Sequence, residues 1–356
     1  MLDREGLDAV LLNAQHNFAW LTGGGSNGVD LSRENGVASL LVTRQGRRYL
    51  IANNIEMPRL LAEEVSTEDF EPVEFAWEDE KGTADLSLRR AAELVSGEIA
   101  TDIPLFAGAK PIENKIAPCR YSLTKDELQR YRLLGRDSGA AIRSVIDKLV
   151  PGESEIEIAE KLRDELGLGG MTSPVTLVAA DERISRFRHP VPTANRWQKT
   201  LLLVTCAKRG GLVTSQSRLV CIGEIPDELR QKTEAAAYVN ACLLDATRPG
   251  ATGAELYAAA ASAYAEKGFA DDIHLHHQGG AAGYKTREWV AHPLSAEVVR
   301  EGQAFAWNPS ITGTKVEETC IAMADGVEII TASPDFPKII TALGGRDYIS
   351  PGILSI

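Results

Sequence analysis

The strongest constraint on this chain is an internal repeat. Residues 125–170, KDELQRYRLLGRDSGAAIRSVIDKLVPGESEIEIAEKLRDELGLGG, read as a helix, a Pro-Gly break and a second helix. Residues 226–268, PDELRQKTEAAAYVNACLLDATRPGATGAELYAAAASAYAEKG, do the same. Each copy carries Asp-Glu-Leu near its start, at 126 and 227, and breaks at Pro-Gly, at 151 and 249. Order, break and spacing match together, which points to duplication. Strand-like runs follow each helix pair: SPVTLVAA, TLLLVTCA and GLVTSQSRLVC after the first, then FAWNPSITG, VEETCIAMA and VEIIT after the second. Helices segregated from antiparallel strands predict an α+β domain with pseudo-twofold symmetry.

The N-terminal part reads differently. AVLLN (9–13) is a strand, and ASLLVT (38–43) and RYLIA (48–52) form a hairpin around the Gly-containing turn RQGR. NIEMPRLLAEEV and LSLRRAAELVSG carry helical spacing. Together these predict a small α/β domain. A segment of turn residues with little periodicity follows, and Thr124 with Glu127 fits a capping box that opens a long helix. The expected domains are therefore 1–121 and 122–356.

Composition narrows the partners. Fifty Asp and Glu against 38 Lys and Arg give a formal charge of −12. That balance argues against a nucleic-acid backbone or an anionic membrane as partner. No run approaches a membrane span. MLDREGLDAVLL lacks the apolar core of a secretory signal. The five cysteines are scattered singly and suggest reduced thiols, so the expected location is the cytoplasm.

Chemistry concentrates in two places. Three of the six histidines lie in HLHHQGGAAGYKTRE (274–288), where Gly279, Gly280 and Gly283 allow close backbone approach. On a strand, His274 and His276 would face one side, with Glu317 and Glu318 as candidates for a third metal ligand. The second place is RISRFRHPVPT, where His189 lies beside Arg186 and Arg188, whose charge would lower its pKa. No nucleophile elbow, P-loop or dinucleotide fingerprint is present.

DAVLLNAQHNFAWLTG, RHPVPT, GGAAGYKTRE and KVEETCIA, set on this duplicated scaffold, resemble the superfamily of creatinase, Xaa-Pro aminopeptidase and methionine aminopeptidase over nearly the full length. The resemblance implies a creatinase-type N-terminal domain followed by a pseudo-twofold pita-bread domain. Metallopeptidases of this superfamily hold two metal ions with two Asp, one His and two Glu. Those positions fall here on Thr205, Ser215, Gly280, Asn308 and Glu317, so only Glu317 remains. Creatinase itself is metal-free, and His189 and Glu317 match its segments, although its substrate-gripping glutamate is Ser217 here.

The expectation drawn from this resemblance is a metal-independent, non-peptidase C–N hydrolase with no cofactor. Cyclisation or elimination at the same pocket is an alternative chemistry. Its substrate would be a small polar, carboxylated metabolite. His189 would be the acid/base, with Glu317 and Glu288 orienting substrate or water. Arg287, Arg188 and Arg33 would hold anionic groups, and His276, His277, Gln278, Tyr284, Trp307 and Asn308 would line the pocket. The family also implies a homodimer. An inactive ligand- or partner-binding homologue is the second reading, and a metallopeptidase with rearranged ligands around His274, His276 and Glu317 the third.

Overall fold

The computed structural model describes residues 1–83 and 85–356. The chain divides into two compact units, Met1–Arg120 and Tyr121–Ile356.

In the first unit, Ala9–Ala14 is buried along its whole length because it sits inside a six-stranded sheet. It pairs antiparallel with Asn35–Thr43, which continues into Arg48–Asn53 through the tight turn read from RQGR. On its other side it pairs parallel with Ile99–Thr101. Strands buried on both faces read as continuous apolar runs, which is why AVLLNA shows no alternation. The helical reading of residues 54–65 is only partly realised. A short helix, Met57–Arg59, passes into a single wider turn, Leu60–Glu64, while Leu86–Leu94 forms a regular helix.

The second unit contains the duplicated helix pairs. Lys125–Asp147 and Glu155–Leu168 form the first, and Asp227–Ala246 and Gly253–Glu266 the second. Three of the four begin with a complete capping box, on Thr124 with Glu127, Ser154 with Glu157 and Thr252 with Glu255. Each box satisfies backbone N–H groups that a helix start otherwise leaves unpaired.

The strands build two principal sheets. One runs Ile353–Ser355, Leu212–Cys221, Thr200–Arg209, Thr172–Ala180. The other runs Trp289–Val290, Gly279–Ala282, Ala304–Trp307, Glu318–Met323, Gly326–Ile329. Hydrogen bonds sew them together: Ser217 N donates to Glu317 O (3.2 Å), and Ser215 N to Thr319 Oγ1 (2.8 Å). Val213 N also donates to Gly283 O (2.8 Å). Because of this seam, residues distant in sequence, around 189, 215, 277, 287 and 317, can share one site. Among the described residues, no helix is long and apolar enough to cross a membrane.

Candidate functional site

Glu317 lies at the seam, just before the strand Glu318–Met323. Alternation sends the two neighbouring carboxylates apart. Glu318 pairs at 2.9 Å with Arg218, whose side chain is fully buried. Glu317 instead meets Lys315, Arg287 and Ser217. Its Oε2 accepts from Ser217 Oγ (2.5 Å) and Lys315 Nζ (2.9 Å), and Arg287 Nη2 approaches Oε1 at 3.4 Å. Arg287 Nη1 donates to Ser215 Oγ (3.2 Å) and Thr286 O (2.6 Å), and Nη2 lies 3.4 Å from Asn308 Oδ1. Among the described residues, its buried Nε has no hydrogen-bond partner.

Beside this network, three imidazoles converge. One ring nitrogen from each of His189, His276 and His277 lies within 4.8 Å of the other two. The Nε2 atoms of His189 and His276 are 3.0 Å apart, and the rings of His276 and His277 stack at 4.4 Å. Asn308 stands between the two groups, its Nδ2 3.4 Å from His276 Nδ1.

The protonation states follow from these contacts. Burial would raise the Glu317 carboxyl, but Lys315, Arg287 and the Ser217 hydroxyl outweigh it and hold the group at about 2. Burial and then the Lys315 ammonium lower His189. Burial, Lys315 and the neighbouring rings take His276 down to about 2, and burial with Arg287 and Lys315 takes His277 to about 4. At neutral pH the Glu317 carboxyl is therefore ionised and the three imidazoles are neutral. The expected cause of the His189 shift was its neighbouring arginines. Burial and Lys315 act instead, because Arg188 turns away to pair with Asp272 (3.1 Å) and Thr312 (2.9 Å).

The two-metal arrangement implied by the resemblance does not fit these residues. Cys206, not Thr205, faces Ser215, with Sγ to Oγ at 3.3 Å. Thr205 points to the opposite side, 2.9 Å from Ser173 Oγ. At Gly280, a Cβ would lie 2.1 Å from Trp289 O, so no histidine can occupy that place without moving the strand. The single remaining carboxylate is already engaged by Lys315 and Arg287. Two divalent ions would add four positive charges where the protein has placed two of its own.

Other expected residues are placed as follows. His274 ends a 3-10 turn, Ala270–His274, and the strand begins only at Gly279. The expected His274–His276 face therefore does not exist, and His277 takes the place beside His276. Gln278 is buried; its Oε1 accepts from Tyr264 (2.6 Å) and its Nε2 donates to His276 O (2.5 Å), which ties down the histidine segment. Tyr284 donates to Glu127 (2.6 Å), and Trp307 is core, its indole donating to Thr247 (3.0 Å). The Glu288 backbone N–H donates to Ala281 O (2.8 Å) beside the Arg287 strand end. Arg33 lies in the first unit, exposed and paired with Asp30 at 2.9 Å. Lys315 was missed. Its signal was the period-two relation to Glu317 in TKVEE, which places both on one side of an extended segment.

Comparison with known proteins fits this fold. The pattern described as metallopeptidase family M24 matches residues 129–330, and that of the creatinase/prolidase N-terminal domain matches residues 1–102. An Xaa-Pro dipeptidase from Lactobacillus delbrueckii subsp. lactis is 26% identical over 65% of this chain and 66% of its own. One from Pyrococcus furiosus is 24% identical over 62% of this chain and 66% of its own. The matches thus span just under two thirds of these relatives' length. The crystal structure of the prolidase from Pyrococcus horikoshii OT3 superposes with a TM-score of 0.78 at 19% identity, covering 93% of this chain and 96% of that one. These relatives overturn the expectation of a metal-independent, non-peptidase C–N hydrolase closer to creatinase than to the metallopeptidases, because the names they carry are those of peptidases. With the M24 pattern matching more than half of it on a pita-bread scaffold, the chain belongs to metallopeptidase family M24.

Proposed function

We propose that this protein is a peptide hydrolase that acts on short peptides with a free C-terminal carboxylate, in the manner of an Xaa-Pro dipeptidase. The observation that carries this reading is Arg287. Its guanidinium lies in the site with a buried Nε–H that has no partner among the described residues, next to a carboxylate that is already matched by Lys315. A guanidinium that keeps one N–H unused, and whose Nη2 makes only long 3.4 Å contacts, suits a planar carboxylate. Hydrolysis also needs a group that activates water, and the three neutral imidazoles of His189, His276 and His277 supply nitrogen lone pairs for that. Glu317 orients the two cations, Asn308 lies between them and the imidazoles, and Glu288 is assigned to orient substrate. Gln278, Tyr284 and Trp307 frame the site rather than bind in it. No step is routed through a pair of metal ions at the family positions, which the residues do not fit.

Hydrolysis of a panel of Xaa-Pro dipeptides and their C-terminal amides tests the reading, with and without added divalent metal. The free acids should be cleaved, and the amides should lose at least about tenfold in kcat/KM. Arg287→Lys should erase that preference, and His189→Ala should lower kcat by about a hundredfold or more. No cleavage of any dipeptide under either condition would sink the peptidase assignment. Assembly as a homodimer, with Arg33 reaching a partner's site, belongs to the same proposal, and light scattering of Arg33→Ala beside the parent checks it.

A further inference from the structure

We propose that His189, His276 and His277 form a mononuclear site for a divalent transition cation of the zinc type, distinct from the family's two-metal position. The geometry points to it. Three imidazole nitrogens already lie within 4.8 Å of one another, two of them 3.0 Å apart. Tetrahedral coordination at about 2.0–2.1 Å from each nitrogen sets them about 3.4 Å apart. Small side-chain rotations therefore close the triangle, and His189 and His277 are exposed enough to make them. His276, the half-buried member, is held from behind. Gln278 fixes its backbone carbonyl at 2.5 Å, and His277 stacks on its ring.

An all-nitrogen donor set selects among metals. It suits Zn²⁺, Co²⁺ or Ni²⁺ and is poor for Mg²⁺ or Ca²⁺, which require oxygen. Three protein ligands leave a fourth position open, as in hydrolytic zinc sites. Lys315 acts electrostatically on all three rings, and Arg287 on His189 and His277. Those cations disfavour a bare dication but favour an anion in the open position, either hydroxide or a substrate carboxylate. Asn308 Nδ2 lies 3.4 Å from His276 Nδ1, so binding a metal through Nε2 puts the proton on Nδ1 and turns the Asn308 amide oxygen toward it as acceptor. This departs from the expectation of no cofactor. Only the ion's part in activating water rests on the peptidase reading; its binding does not.

The test is a titration of the chelator-treated full chain with Co²⁺, followed by the visible absorption of the four-coordinate ion. One Co²⁺ per chain should bind, and Zn²⁺ should displace it. His276→Ala and His189→Ala should each weaken binding by about a hundredfold or more, while His274→Ala, outside the trio, should leave it unchanged. His189→Ala lies on an exposed loop and keeps the test available if His276→Ala fails to fold. Absence of the four-coordinate spectrum, or binding insensitive to both substitutions, would overturn the site. A metal-loaded protein that binds as expected but cleaves no dipeptide would leave the site standing and remove the peptidase reading instead.

Discussion

Glu317 has been moved out of water, and burial alone would raise its pKa; Lys315, Arg287 and Ser217 instead hold it at about 2. The folded-state value is thus depressed below the ordinary glutamate value of 4.5. Its stabilising contribution is fully present above about pH 4.5 and is lost as pH falls toward 2. Glu317→Gln should therefore destabilise the second unit at pH 7, leaving two buried cations without their anion. Removing one partner of a buried pair typically costs about 3–5 kcal/mol. The difference between parent and variant should shrink at pH 2–3. Urea unfolding at both pH values checks this, and a variant equally destabilised at both would contradict it. Lys315 did not stand out in the sequence. A lysine two residues from a glutamate is ordinarily a solvated pair, and only the sheet seam buries this one.

At the scale of elements, much was legible. The capping box at Thr124 is a local pattern and forms as read. The hairpin around RQGR and the duplicated helix pairs also depend on local spacing, and both are present. What failed depended on non-local detail. The histidine segment was read as a strand because HLHH leads into glycines, yet Ala270–His274 turns as a 3-10 helix and the strand starts at Gly279. The resemblance sets the first aspartate position at Thr205, whereas the sheet pairs Cys206, not Thr205, with Ser215. A single-residue slip exchanges the faces of a strand, so Cys206 rather than Thr205 enters the site. The absence of the family histidine at Gly280 also has a structural consequence. A Cβ there would meet the Trp289 carbonyl at 2.1 Å, and backbone cannot move as a side chain end can. Gly280→Ala should therefore cost at least the ~1–3 kcal/mol typical of overpacking, read as a lower urea midpoint. A change within about 0.5 kcal/mol would show that the strands relax freely.

At the scale of the whole molecule, charge and site pull in opposite directions. The chain carries −12, but in the site Lys315 and Arg287 both face Glu317. Field lines from the surface act over roughly 10 Å at 0.1 M salt, whereas contacts within a buried site are screened far less. The expectation is that an approaching peptide meets a net negative field at long range and the Lys315 and Arg287 charges only at contact. For the proposed dipeptides, this separates side-chain charge from the terminal carboxylate. Lys-Pro should associate faster than Glu-Pro at low ionic strength, because the long-range field repels the extra anion. Added salt should speed Glu-Pro, slow Lys-Pro and bring the ratio of their kcat/KM values toward its contact-limited value. The preference for a free over an amidated C-terminus should change little over the same range, because Arg287 acts at contact distance. Measuring both ratios from about 0.02 to 0.5 M salt distinguishes the two effects, since the Debye length falls severalfold across it. If the Lys-Pro to Glu-Pro ratio stays constant, the surface charge does not steer substrate. If the carboxylate preference collapses together with it, Arg287 is reached by solvent ions and is not the buried grip implied by an Nε without a partner among the described residues.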